Sequence, residues 1–198
     1  MRILVLNYGV GNIFSISHAL ARLGATVVVS QKIAGQDFDA LVMPGVGSFS
    51  AAAESISPFR EGLRERIMSG LPTLGICLGM QIMFKTSEEG PGEGLGLFGG
   101  GVVSLPLGVK RPQMGWNRLI KIRDTPLLED VEDEWVYFNH SYYPVPEDTS
   151  IVAGKTVYGV DVTSVISHRN IFGTQFHPEK SSTAGRRILR NFISQVRR

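Results

Sequence analysis

Short apolar runs alternate with helical stripes through the first 85 residues, and few architectures accept that rhythm. Arg2–Asn7, Ala25–Ser30, Asp39–Met43 and Thr73–Ile76 read as strands, the first continuous enough to be buried on both faces. Between them Asn12 can cap a helix that carries Ile13, Ile16, Leu20 and Leu23 on one stripe, with Gly24 just past its end. Pro58 suits the first turn of another, with Phe59, Leu63 and Ile67 inward and Gly70 as its stop. A further helix is predicted from about Gly79 to Lys85. Strands joined through helices pair in parallel by right-handed crossovers. Past residue 100 the pattern changes. Val102–Leu105, Asn117–Ile122, Glu134–Asn139, Ile151–Val157, Val160–Ser167 and Ile171–Phe176 are short and turn-bounded, as in hairpins. The fold class expected is α/β, an open, largely parallel mixed sheet flanked by helices, with a hairpin-rich second half. Gly90–Gly101 is glycine-rich but short, so it reads as a loop, and residues 1–198 are expected to form a single domain.

Composition removes several function classes. A net charge of +2 gives no general pull on nucleic acid. Arg186, Arg187, Arg190, Arg197 and Arg198 alternate with Ile188, Leu189, Phe192, Ile193 and Val196, as on the wet face of a terminal helix, so no nucleic-acid partner is expected. Runs such as Leu41–Met43 are too short to span a bilayer, and no membrane association is expected. The first strand lacks the length and cleavage site of a leader, and one cysteine makes no internal disulfide; both point to a cytoplasmic location. His18, His140 and His168 show no metal-ligand spacing, so no metal is expected. Gly94-Leu95-Gly96-Leu97-Phe98-Gly99 has dinucleotide-loop spacing without a preceding strand or a following helix. Gly9-Val10-Gly11 follows a strand, but Phe14 holds the third glycine position and Ser30 stands where a ribose-binding acid belongs. No cofactor is expected.

The chemistry concentrates in three segments. Gly75-Ile76-Cys77-Leu78-Gly79 lies between a strand and a helix, the thiol version of a nucleophile elbow, where a side chain at either glycine would crowd the turn. A helix beginning there would favour thiolate through its dipole. Read alone, the pentapeptide fits a buried, inert cysteine equally well. Phe172–Phe176 runs into His177-Pro178-Glu179, and Pro178 pushes His177 to an extended conformation. In extended chain, His177 and Glu179 project to one side, spaced for a carboxylate to orient an imidazole. Pro44-Gly45-Val46-Gly47 follows the third strand, and its N–H groups, with that of Leu78, are candidates for an oxyanion hole. The glycines flanking Val46 make that peptide the expected switch between resting and competent states.

Together, Gly75-Ile76-Cys77-Leu78-Gly79-Met80-Gln81, Phe176-His177-Pro178-Glu179 and Pro44-Gly45-Val46-Gly47 resemble the class I (triad) glutamine amidotransferases, in order and spacing, over nearly the whole chain. The resemblance implies Cys77 as nucleophile, His177 as proton carrier and Glu179 as its orienting acid. It also implies Gln81, Glu89, His140, Ser141 and Tyr142 as glutamine-binding positions. Asn7-Tyr8-Gly9-Val10-Gly11-Asn12, Met114-Gly115-Trp116-Asn117, Phe138–Tyr143 and Lys180-Ser181-Ser182 look like the branch that serves histidine biosynthesis as a glutaminase subunit. That likeness implies a heterodimer with a (β/α)8-barrel cyclase subunit, docked near Asn12, Trp116 and Lys180. The other readings are a glutaminase subunit of a different triad amidotransferase, a γ-glutamyl thiol hydrolase, and a non-catalytic binding or redox module.

Overall fold

Ile3 to Leu6 of β1 (Arg2–Leu6) are all buried, and they alternate between faces, Ile3 and Val5 entering one apolar cluster and Leu4 and Leu6 another. A strand that is apolar on both sides must lie inside a sheet covered on both faces. In the computed structural model, which describes residues 1–9 and 12–197, this is what surrounds it. Val10, Gly11 and Arg198 lie outside the described residues. The first half follows as α1 (Ile13–Arg22), β2 (Thr26–Ser30), β3 (Ala40–Gly45), α2 (Phe49–Ile56), α3 (Arg60–Met68), β4 (Thr73–Cys77) and α4 (Leu78–Gln81). The second half supplies β5 (Gly100–Ser104), β6 (Gln113–Arg118), β7 (Ile120–Lys121), β8 (Trp135–His140) and β9 (Tyr142–Pro146). It continues through β10 (Val152–Val157), β11 (Asp161–His168), β12 (Ile171–Thr174) and α5 (Ser182–Val196).

Eight strands form one mixed sheet in the order β2-β1-β3-β4-β12-β11-β10-β7. β2, β1, β3, β4 and β12 pair in parallel, and the last three joins are antiparallel. Ile16 and Leu20 of α1, with Ile188, Leu189, Phe192 and Ile193 of α5, cover one face. Phe49 and Ile56 of α2, with Leu63 and Ile67 of α3, cover the other. Each such side chain, fully buried, contributes roughly 1.5–3 kcal/mol. Two further antiparallel pairs, β5 with β9 and β6 with β8, lie outside the main sheet.

The α/β expectation holds, and Asn12 caps α1 as read, its side chain accepting from the Ser15 N–H at 3.2 Å. Four elements differ. The strand expected over Asn117–Ile122 is split at Leu119 between β6 and β7, because β6 pairs with β8 while β7 joins β10 in the main sheet. α2 follows a capping Ser48, but Ser50-Ala51-Ala52-Ala53 carries too little hydrophobic contrast to announce a helix. β9 contains Pro144 and Pro146. Two residues apart, their missing N–H groups fall on one edge, and a strand with a single partner has an edge to spare. The helix predicted to reach Lys85 stops at Gln81, because the carbonyls of Ile82, Met83 and Lys85 accept from Leu95, Leu97 and Gly94. This explains the first of the glycines that mimic a dinucleotide loop. A Cβ on Gly94 would stand 2.0 Å from the Phe84 carbonyl oxygen, so only glycine lets the two backbones meet.

Candidate active site

Three parallel strands end side by side, and their ends bring the separate sequence segments together. Gly45 of β3 pairs with Cys77 of β4, and Thr174 of β12 pairs with Ile76 on the other side. The carboxyl ends of adjacent parallel strands are where open α/β sheets bind ligands. Here they carry Val46-Gly47, Cys77 and the Gln175–Glu179 segment.

The turn at Cys77 is forced. Its φ of 55° and ψ of −109° are rare for a residue with a side chain. A Cβ on Gly79 would lie 1.7 Å from the Met43 carbonyl oxygen, and one on Gly75 would lie 2.5 Å from that of Gly79. Both glycines are therefore dictated by close backbone approach. Because α4 has only four residues, its dipole lends the sulfur less than a full helix would. The sulfur's polar contacts are the Asn139 carbonyl at 3.7 Å and the Gln175 side-chain Nε2 at 3.5 Å.

His177 Nδ1 lies 2.9 Å from Glu179 Oε1, with both side chains almost wholly buried. The pair meets through a 3-10 turn, Pro178–Lys180, rather than across an extended segment. His177 itself is extended, as Pro178 requires, and its N–H donates to the Tyr137 carbonyl. Burial opposes charge on the imidazole, but the Cys77 sulfur and the Glu179 carboxylate outweigh it and raise its pKa to about 10. No well-aligned hydrogen bond joins Nε2 to the sulfur, so the thiol acts on the ring by proximity. At neutral pH this imidazole holds its proton.

A cleft of about 240 Å³ opens over the thiol. Val46, Gly47, Leu78, Gln81, Glu89, His140, Ser141 and Tyr142 all line it with Cys77, and Pro112 and Asn139 complete the wall. The volume lies just below the roughly 300–1,000 Å³ typical of drug-sized ligands, which suits a single amino acid. Glu89 is partly committed, since its Oε2 accepts from the Phe49 N–H at 2.7 Å and so caps α2. The Tyr142 carbonyl accepts from Gln81 Nε2 at 2.7 Å and from His140 Nδ1 at 2.9 Å. Burial, with a smaller effect from His177, lowers the His140 pKa to about 4, so its ring is neutral and Nε2 is the unprotonated nitrogen.

Asn12, Trp116 and Lys180 lie apart from this cleft. Trp116 is half exposed and meets Tyr137 edge-on at 6.1 Å, and Lys180 Nζ stands 5.8 Å from the same ring. Asn12 spends its side-chain oxygen on capping α1. Gln175 escaped the sequence reading. It is fully buried and reads there as a polar break in the apolar run Phe172–Phe176; its one signal was falling two residues before His177, hence on the same side of extended chain.

The class-I glutamine amidotransferase family profile matches residues 4–196. The imidazole glycerol phosphate synthase subunit HisH of Methanothermobacter thermautotrophicus is 48% identical, with 98% of this chain and 99% of that protein aligned. The HisH subunits of Geobacillus thermodenitrificans and Saccharolobus solfataricus are 47% and 42% identical, covering 97% and 100% of this chain and 95% and 100% of theirs. In fold, the chain resembles PurLQS from Thermotoga maritima, with a TM-score of 0.77 at 20% identity and 98% of both chains covered. It also resembles a glutamine amidotransferase from the same organism, with a TM-score of 0.75 at 14% identity over 99% of this chain and 97% of that one. The chain belongs to the class I glutamine amidotransferases, in the branch formed by the HisH glutaminase subunits of imidazole glycerol phosphate synthase.

Proposed function

We propose that this domain hydrolyses glutamine through a Cys77 thioester and hands the ammonia to a (β/α)8-barrel cyclase subunit. The observation that carries it is the convergence of the strained Cys77 elbow, the buried His177–Glu179 pair and an amino-acid-sized cleft on the ends of β3, β4 and β12. The thiolate pair on Sγ attacks the side-chain amide carbon, and the carbonyl π pair moves onto oxygen. N–H groups from the Val46-Gly47 segment and Leu78 receive that oxyanion. Collapse breaks the C–N bond, and the proton already on His177 leaves with the nitrogen as ammonia. Water then attacks the thioester and gives one proton to His177, and the C–S bond breaks to return thiolate, imidazolium and the γ-carboxylic acid, which releases its proton to solvent as glutamate. Both Nε2 hydrogens of Gln81 are engaged, so its Oε1 is left, with Glu89, to receive the substrate α-ammonium.

The strand pair β6–β8 supports docking of a partner beside this centre. Met114 and Trp116 on β6 and Trp135 on β8 are exposed, and β8 carries Tyr137 and Asn139 on toward the thiol. Aromatic residues and methionine are enriched at interfaces, which fits Trp116, Trp135 and Met114, and Asn12, Trp116 and Lys180 are our docking residues. The cyclase would take the ammonia without its protonation in bulk water, yielding imidazole glycerol phosphate and an aminoimidazole ribonucleotide. None of the described helices is long and apolar enough to cross a membrane; a cytoplasmic site of action is part of the proposal. The test is Cys77→Ala in the reconstituted complex: glutamine-dependent synthesis is lost, while ammonium salts at high pH still support it. Retained glutaminase activity removes Cys77 from the chemistry.

A further inference from the structure

We propose that Gln175 is a further catalytic side chain, its amide N–H stabilising negative charge on the Cys77 sulfur, with Gln81 as the positioning residue that fixes its orientation. The Tyr142 backbone carbonyl can only accept, so the Gln81 amide atom 2.7 Å away must be nitrogen. That nitrogen is also 3.1 Å from the Gln175 side chain, so the atom it faces there is oxygen. The Gln175 nitrogen is then the atom 3.5 Å from the sulfur. Turning either amide over would set oxygen against oxygen, or oxygen against sulfur, in a region where neither glutamine retains more than a few per cent of its surface.

The sulfur therefore sits between opposed influences. The Asn139 carbonyl, 3.7 Å away, accepts from a protonated thiol and favours S–H. The Gln175 N–H favours S⁻. A donor held on the sulfur also helps when the thioester is hydrolysed: the C–S bonding pair then returns to sulfur, where the N–H receives it. With only a one-turn helix after Cys77, this side-chain donor adds to the little that the helix dipole lends. Gln175 does not line the cleft, so its role is separate from holding substrate.

The inference rests on Cys77 being the nucleophile, and the two ideas fail separately. Activity retained by Cys77→Ala sinks the earlier reading; a dead Cys77→Ala beside an unchanged Gln175→Met sinks this one alone. Gln175→Met keeps the bulk and removes the donor. Gln175→Glu keeps the shape and the bond from Gln81 but sets a carboxylate against the sulfur. A hydrogen bond to a charged group corresponds to roughly 10- to 100-fold in an equilibrium. The rate of thiol alkylation by iodoacetamide at pH 7 should fall by about that factor in Gln175→Met, with the whole pH profile displaced upward, and further in Gln175→Glu. In the complex with the cyclase subunit, kcat should fall about 10-fold or more while KM for glutamine stays within about threefold. If Gln175→Met does not fold, Gln175→Glu carries the same measurement. An alkylation profile that coincides with wild type, whatever happens to urea stability, overturns the proposal. So does a loss confined to KM.

Discussion

Replacing His140 with asparagine should remove a defined part of the acid sensitivity of this fold. His140 is 6% exposed, and burial first, then charge on His177, lowers its pKa to about 4 in the folded chain. In the unfolded chain an imidazole titrates near 6.5. Above that value both states hold a neutral ring, and the contribution is fully present. Below it the unfolded chain takes up a proton that the folded chain refuses, so stability falls until the pH reaches about 4. At 1.36 kcal/mol for each pH unit, the loss comes to about 3 kcal/mol. His177 works in another window. Its folded pKa of about 10 lies above 6.5, so its contribution is complete below 6.5 and disappears as pH rises through 10. It adds no slope on the acid side. Asparagine retains an N–H donor for the Tyr142 carbonyl that His140 Nδ1 now meets at 2.9 Å. Urea unfolding of both proteins from pH 8 to 4 is the assay, and carboxylates common to both cancel in the difference. Wild type should lose about 3 kcal/mol more than His140→Asn between pH 6.5 and 4. Curves that stay parallel within ~0.5 kcal/mol across that interval would show that the ring is not held neutral.

Single-turnover thioester formation should separate the two members of the buried pair. His177→Ala loses roughly 10²- to 10⁴-fold, and Glu179→Gln, which keeps a partner for Nδ1, loses distinctly less; equal rates for wild type and His177→Ala defeat the assignment. Gly79→Ala should cost about 3 kcal/mol or more in urea unfolding, since its methyl would meet the Met43 backbone at 1.7 Å and no side chain can give way. Native stability in that variant would mean that the elbow relaxes freely. Titration with the cyclase subunit should find Trp116→Ala weakened by about 2 kcal/mol, near 30-fold in Kd. An unchanged Kd places the docking face elsewhere. Glutamate release by the chain alone, by the complex, and by the complex with an acceptor analogue tests the Val46–Gly47 switch; rates that agree in all three remove it.

The parts of the fold that the sequence announces are those whose causes are local. β1 is readable because five consecutive residues decide its burial, and α1 because Asn12 and Gly24 mark its ends. α2 is not, because Ala52 and Ala53 pack against the sheet beside a similar, partly exposed Ala51, so one side is not marked as apolar before the sheet exists. β9 hides behind two prolines that only a free strand edge tolerates, and whether an edge is free depends on a partner more than 40 residues away. The end of α4 is likewise decided elsewhere, by the Gly94–Leu97 segment that takes its next carbonyls.

The same division runs through the site. The elbow is legible because its strain is written in adjacent glycines, and His177 with Glu179 because the proline between them limits the backbone. The network that addresses the sulfur has no such local cause. Gln175 reaches Cys77 across 98 residues of chain, Gln81 reaches Gln175 across 94, and the Tyr142 carbonyl that sets the polarity of both is 61 residues from Gln81. A buried glutamine within an apolar strand looks like a defect until β4 and β12 pair and set its amide beside the thiol. Burial without a partner is costly for such a group, so the sequence does contain a sign that something must meet it. Which group meets it is a property of strand order, because only the parallel run β3-β4-β12 brings a thiol, an imidazole and two amides to one edge.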